Sequence, residues 1–296
     1  MPEGDTIASL ARRMHAELAG QSGVDVLVPS AGETLPQSRI VRVHARGKHL
    51  LIELADGHTL QSHLGMDGTW RRFRDHAPVA PAPSVGAVIT TQAAEFVLFN
   101  PKEVRLLRPR GDRLRRHTLV RRVGPDLTTD VAIDQVVARV YGIATPDALM
   151  LDVLLDQRIA GGIGNVFKCE LMFVQRWPLS LRVGAVTVEQ LHDVYALAAT
   201  WLKANVGNGR RLTRGLPGAA AEPLGGIATD PVGHGARRTD RPAARLTGSH
   251  GDDSSRLWVY GRTGQPCYVC ATPIASVMAG RKVRRTWSCP HCQSAA

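Results

Sequence analysis

The chain has 296 residues, room for two packed domains and a small module beyond them. Hydrophobic residues make up 44% but aromatics only 5%, so a sizeable core is available and must be built mainly from Leu, Val, Ile and Ala. The charge, 37 Lys+Arg against 26 Asp+Glu for a net +11, favours a polyanion or an anionic membrane surface. No apolar run of about 18 residues exists, and the N-terminus lacks a charged-then-apolar signal, which leaves nucleic acid as the better partner.

Asp5 stands where a cap opens a helix over 5–19, with Ile7, Leu10, Met14 and Leu18 at helical spacing up to Gly20. From about 24 to 108 the pattern turns to short strands at 24–28, 39–44, 49–54, 59–64, 87–91, 95–99 and 104–107, separated by Gly, Pro and Asp turns. This predicts a β-sandwich or barrel with the helix packed on it. After the charged stretch 109–122 the period is helical. One helix is expected over 131–141, and Thr145-Pro146 opens a second to about Asp156 with Pro at its first position. A third spans 163–174, and Thr187 with Gln190 forms a capping box for a fourth that runs to about Ala204.

Residues 207–255 are rich in Gly, Ala, Pro, Arg and Asp without an apolar period, and read as a mobile loop or disorder because they bury too little to offset ordering. Order is expected again at Leu257-Trp258-Val259-Tyr260. No internal repeat is present. The expected fold class is α+β: a sandwich domain over 1–112, a helical domain over 125–206, the loop 207–255, and a cysteine-bearing module over 256–294.

Five cysteines are too few for a disulfide scaffold. Four form two C-x2-C pairs, Cys267 with Cys270 and Cys289 with Cys292, while Cys169 stands alone in a predicted helix. This spacing suits a reducing cytosol and a tetrathiolate zinc site, with a β-hairpin between the pairs. His291 could compete as a ligand, but four thiolates already fill the shell. A closed four-ligand site makes one Zn2+ a structural staple with no open position for substrate. Between the pairs, Arg281-Lys282-Val283-Arg284-Arg285-Thr286-Trp287 sets four cations within five positions, placed to meet phosphates or else to form a solvated loop.

The chain opens Met1-Pro2-Glu3-Gly4-Asp5-Thr6. Removal of Met1 would expose a secondary amine with a pKa of ~8, uncharged in useful fraction near neutrality and so able to attack carbon. Pro at position 2 alone means little. It is joined, in order, by Ala45-Arg46-Gly47-Lys48-His49-Leu50, Ser62-His63 through Gly68 and Trp70, Gly161-Gly162-Ile163-Gly164-Asn165, and Val259-Tyr260-Gly261-Arg262 before Cys267. As a set these closely resemble the Fpg/Nei family of DNA glycosylases, the formamidopyrimidine-DNA glycosylase and endonuclease VIII enzymes, over nearly the whole chain except 207–255.

The resemblance implies a helix on an N-terminal β-sandwich, a helix–two-turn–helix domain and a C-terminal zinc-finger β-hairpin, with damaged DNA in the cleft between the halves. It implies that Pro2 attacks C1′ of a nucleotide flipped from the stack, that Glu3 acts as general acid/base, and that Lys48, in a predicted hairpin turn, works at the lesion. Asn165, at a glycine-rich helix start suited to phosphate, and a finger arginine would hold the flanking phosphates. The matching arginine is Arg284, with Arg285 an adjacent ambiguity. Met66 stands where purine-specific members place one wedge residue, but Asn100-Pro101-Lys102-Glu103-Val104 lacks the expected Arg-Phe pair. The implied activity is base removal and β,δ-elimination through a Pro2 Schiff base, with oxidised pyrimidines as lesions because the N-terminal motifs look more like endonuclease VIII. An oxidised-purine enzyme (formamidopyrimidine or 8-oxoguanine), or a relative that binds damaged DNA without cutting, are the alternatives. The resemblance also implies a cytoplasmic, nucleoid-associated bacterial monomer with no membrane partner.

Overall fold

The structure, a computed structural model, describes residues 2–74, 84–109, 123–218, 243–245 and 256–294. Helix α1 (Gly4–Leu18) buries Ile7, Leu10, Met14 and Leu18, the residues whose spacing predicts it. Its start differs from expectation. Glu3 is the N-cap residue and contributes no side-chain cap, while Asp5 lies inside the first turn.

Nine strands follow: β1 (Val24–Val28), β2 (Glu33–Ser38), β3 (Ile40–Arg46), β4 (His49–Leu54), β5 (Thr59–His63), β6 (Thr69–Phe73), β7 (Val85–Thr90), β8 (Glu95–Phe99) and β9 (Glu103–Leu107). Two of them, β2 and β6, escape the sequence reading. Strand β2 carries Pro36, which cannot donate to a ladder, and the fold places it at a sheet edge where that donor is not needed. Strand β6 is short and begins at a turn glycine. Two antiparallel sheets result, β3-β4-β5-β9 and a larger one that includes β6-β8-β7-β1-β2. Trp70, Phe96, Ile52, Leu60 and the apolar face of α1 share one core between them.

The helical half contains α2 (Ile133–Ile143), α3 (Met150–Val153), α4 (Asn165–Val174) and α5 (Val188–Asn205). The capping box at Thr187 and Gln190 is formed with both of its hydrogen bonds. The expected helix over 145–156 shrinks to the four residues of α3, and Pro146 does not open it. The reason is tertiary. The Met150 N–H donates to the Leu181 carbonyl, Val183 N–H to Ala148, and Gly184 N–H to Pro146, so backbone groups a helix would use pair with 181–184 instead. Every residue of α4 from Asn165 to Phe173 is buried. It packs against α5 on one side and against Trp258, Val259 and the cysteines on another. Among the described residues no helix is long and apolar enough to cross a membrane.

After α5 the structure departs from the expected mobile loop over residues 207–218. Residues 207–218 are bound to the domains on either side. The Asn205 amide brackets Leu212, donating to its carbonyl at 2.8 Å and accepting its N–H at 2.7 Å. Arg211 forms a two-pronged ion pair with buried Asp5, at 2.8 and 2.7 Å, and lies 5.0 Å over the Phe167 ring. Residues 219–242 and 246–255 lie outside the described residues, as do 110–122. Between the former two, β10 (Ala243–Arg245) pairs antiparallel with β6 as the last strand of the larger sheet. Residues from 256 onward lead to the hairpin β11 (Ala275–Ala279) and β12 (Arg284–Ser288).

Removing one partner of a buried ion pair strands the other charge. Arg211→Met is therefore expected to lower unfolding free energy by about 3–5 kcal/mol in denaturant titration, and Arg211→Met with Asp5→Leu to recover much of that loss. Equal losses in the single and double variants would show that the pair is not what binds the segment to α1.

Candidate active site between the two halves

Glu3 is fully buried, and its carboxylate crosses from the sandwich half to the start of α4. Oε2 accepts from Gly164 N–H at 2.9 Å and Phe167 N–H at 3.3 Å, and Oε1 from Val166 N–H at 2.7 Å. These are donors that a helix start leaves without intrahelical partners, and the helix dipole favours an acid there. Gly164 makes room for this approach, and the glycines at 4 and 162 let the two backbones meet. A Cβ at Gly164 would lie 2.3 Å from Glu3 Cδ, and one at Gly4 would lie 2.6 Å from Gly162 Cα. The Gly4 N–H donates to the Gly162 carbonyl at 2.9 Å, locking the chain start in place. Pro2 is thereby fixed at the wall of a cavity of about 580 Å³ between the halves.

Lys48 occupies the β3–β4 turn and lines the same cavity. Its turn is held from across the molecule, since Gly47 N–H donates to Asp126 Oδ2 at 2.6 Å while Asp126 Oδ1 accepts from Thr128. Burial lowers the Lys48 amine to about 8; Arg284 and Arg211 add to the shift, and Glu3 and Asp5 oppose it. The lining also includes Met66, His63, Lys102, Lys282 and Arg284. Met66 is 74% exposed. His63 accepts from the Gly65 N–H at Nδ1, 3.1 Å away, which puts its proton on Nε2. Burial, with His49, Lys102 and Lys48 nearby, pushes it down to about 4. The cavity is thus lined by Lys48, Lys102, Lys282 and Arg284 against one acid, Asp67.

The hairpin separates the two arginines. Arg284 is partly buried and faces the cavity, whereas Arg285 is exposed and is absent from the cavity wall. Asn165 stands behind the wall, with its amide held internally. Nδ2 donates to the Arg285 carbonyl at 2.8 Å, and Oδ1 accepts from Lys168 Nζ at 2.9 Å. The structure therefore brings Pro2, Lys48, Met66 and Arg284 to one cavity, sets Glu3 and Asn165 directly behind it, and turns Arg285 away.

Cys267, Cys270, Cys289 and Cys292 bring their four Sγ atoms within 4.8 Å of one another. Neighbouring sulfurs lie 3.4 to 3.9 Å apart. A tetrahedral ion with bonds of about 2.3 Å sets sulfurs about 3.8 Å apart, so this donor set could hold a metal ion. His291 is exposed and stands outside the group. The module is riveted to the helical half. The tip N–H of Arg281 donates to the Asp152 carboxylate at 3.0 Å, and Gln293 Nε2 to the Trp177 carbonyl at 2.9 Å.

Several residues of this arrangement were not singled out from sequence. Asp126 holds the Lys48 turn, Gln157 accepts the Gly162 N–H at 3.1 Å, and Glu170 accepts the N–H groups of Trp258, Val259 and Tyr260. Lys168 joins α4 to β12 through Thr286 Oγ1 at 2.6 Å. A signal existed for Lys168 and Glu170: Val166-Phe167-Lys168-Cys169-Glu170-Leu171-Met172-Phe173 is apolar all round a helix, so charges within it must be buried. Asp126 and Gln157 sit in loops with no such signal.

Comparison with known proteins places this arrangement. Residues 1–111 match the family model described as the formamidopyrimidine-DNA glycosylase N-terminal domain. A probable endonuclease 8 of Streptomyces coelicolor is 32% identical over 302 residues, covering 99% of this chain and 94% of that protein. A protein of Mycolicibacterium smegmatis, DNA-(apurinic or apyrimidinic site) lyase Nei2, is 32% identical over 310 residues and covered completely on both sides. The formamidopyrimidine-DNA glycosylase of Methylococcus capsulatus is 27% identical, covering 99% of this chain and 100% of that one. In structure, the Lactococcus lactis Fpg in complex with DNA containing an abasic site superposes with a TM-score of 0.73 over 99% of this chain and 100% of that chain, at 20% identity. The last likeness is one of fold.

The Lys48 amine gives a pH prediction. Its folded pKa lies below the ordinary 10.5, so the unfolded chain binds the extra proton between about 8 and 10.5, and stability attributable to Lys48 rises with pH across that window. Nitrogen NMR of Nζ is expected to give a midpoint near 8. A midpoint near 10.5 would mean that the turn leaves the amine solvated.

Proposed function

This chain belongs to the Fpg/Nei family of DNA glycosylases, on its endonuclease VIII side, and on that premise we propose how its residues excise a damaged base and cut the strand. It is a DNA glycosylase and apurinic/apyrimidinic-site lyase of base excision repair. DNA lies in the basic cleft between the sandwich over 1–112 and the helical half over 125–206, gripped by the finger over 256–294. The observation that carries the reading is the convergence of Pro2, Lys48 and Arg284 on one cavity with Glu3 directly behind the chain start.

With Met1 removed, the Pro2 amine attacks C1′ of the flipped nucleotide, and the bond from C1′ to the base nitrogen breaks. The base leaves with the bonding pair and takes up a proton. Glu3, adjacent to the amine, protonates the sugar ring oxygen as the C1′–O4′ bond breaks and the amine gives up its proton, leaving the Pro2 iminium at C1′, and then takes the proton from C2′. Loss of the C2′ proton expels the 3′ phosphate, and a second elimination expels the 5′ phosphate. Lys48, partly neutral near pH 7–8, serves at the lesion as a hydrogen-bond or proton partner. Asn165 and Arg284 hold the phosphates beside the flipped nucleotide, and Met66 enters the space it leaves. Cys267, Cys270, Cys289 and Cys292 would hold one Zn2+, whose contribution is the folding of the finger rather than the reaction.

Oxidised pyrimidines are the proposed lesions, supported by the endonuclease 8 relatives. A second reading, oxidised purines, is favoured by one observation, the exposed Met66 at the cavity rim.

Borohydride trapping on duplexes that carry an abasic site, an oxidised pyrimidine or 8-oxoguanine tests the chemistry and ranks the lesions. A covalent adduct is expected with the natural chain and is expected to vanish in Pro2→Gly while binding persists. Equal trapping by Pro2→Gly would assign the nucleophile elsewhere. For the metal, Cys289→Ser or chelation is expected to release about one Zn2+ per chain, unfold the hairpin and abolish DNA affinity. Undiminished binding after measured metal loss would remove the finger from DNA recognition.

A further inference from the structure

Lys168 stands in the first turns of α4 with no exposed surface. Its ammonium donates to two neutral acceptors, Asn165 Oδ1 at 2.9 Å and Thr286 Oγ1 at 2.6 Å. Burial holds its pKa below the ordinary lysine value. A buried ammonium on neutral oxygens is expensive to keep, and an apolar side chain would pack in this helix at lower cost. The two oxygens it holds say what it is kept for. An ammonium accepts nothing, so it fixes the Asn165 amide with oxygen inward and nitrogen toward the finger strand, where Nδ2 meets the Arg285 carbonyl. Its bond to Thr286 ties the same point to β12, two residues from Arg284. One buried group thus sets both the donor end of Asn165 and the strand that presents Arg284 to the cavity.

We propose that Lys168 is a positioning residue for phosphate recognition, holding Asn165 and the Arg284 strand in one register without touching DNA itself. The inference rests on the assignment of Asn165 and Arg284 to phosphates made above. Lys168 acts on binding and leaves the chemical step to Pro2.

The test uses the full-length zinc-loaded protein and a duplex carrying a tetrahydrofuran abasic-site analogue, which binds without being cut. Lys168→Met is expected to raise Kd about tenfold, while the borohydride-trapping rate on true abasic DNA at saturating enzyme stays within about twofold. Lys168→Arg, which can still donate to both oxygens, is expected to keep most of the affinity. Asn165→Ala is expected to weaken binding by a similar factor, and Asn165→Ala with Lys168→Met to be little worse than either alone. Fully additive losses, unchanged affinity in Lys168→Met, or a slower trapping rate with affinity intact would each overturn the proposal. If Lys168→Met does not fold, Thr286→Val decides: weaker binding that Asn165→Ala does not deepen supports the clamp, and unchanged affinity sinks it. If Asn165→Ala leaves affinity unchanged, the phosphate assignment and the inference fall together. If Asn165→Ala weakens binding and Lys168→Met does not, the inference falls alone.

Discussion

The Glu3 carboxylate meets the backbone N–H groups of Gly164, Val166 and Phe167, at a helix start whose capping residue, Gly164, lies 161 residues further along the chain. Those donors would otherwise be buried without partners, and the carboxylate would be buried without solvation. Each satisfies the other, so neither half can shift without exposing both. Around this joint the other features fall into place. Gly4 bonds to Gly162, the Asp5–Arg211 pair secures the same first turn of α1, and Pro2 is left at the cavity wall.

Helix α4 is the element through which the joint reaches the rest of the molecule. It is buried on all sides, which for an amphipathic surface helix would be anomalous, and its polar residues each hold a different neighbour. Asn165 and Lys168 hold the finger strand, and Glu170 gathers the N–H groups of 258–260 that lead into the cysteines. Burial raises the Glu170 pKa, yet four donors surround its carboxylate, Thr213 among them. Such satisfied networks fix a unique geometry because any slip leaves a charge uncompensated. On the proposed reading the cleft holds a flipped nucleotide, and placing reacting atoms that closely needs such rigidity.

The cavity itself gathers cations from elements far apart in sequence. Lys48 comes from the β3–β4 turn, Lys102 from the β8–β9 turn, and Lys282 and Arg284 from the hairpin. Their mutual repulsion is tolerable because the natural ligand is a polyanion, and Arg284, added to burial, helps hold the Lys48 amine at about 8.

Much of this was legible in the chain alone. Periodicity located α1, α2, α4, α5 and most strands, because a buried stripe repeats at 3.6 or 2 residues whatever it packs against. The two C-x2-C pairs announced a four-sulfur cluster, because chelation from a tight turn fixes local spacing. Order in 207–218 was not legible, because Arg211 has an acid partner only once α1 is beside it. Helix 145–156 was overpredicted for the same reason, its backbone groups being claimed by 181–184. The choice between Arg284 and Arg285 as the cavity-facing residue was likewise undecidable from spacing, since adjacent strand residues point to opposite faces and only the docking of the hairpin selects one. Sequence determined what each segment could become on its own terms. Tertiary structure decided where the buried charges found their partners, because those partners lie up to 206 residues apart and only the assembled fold brings them within hydrogen-bond reach.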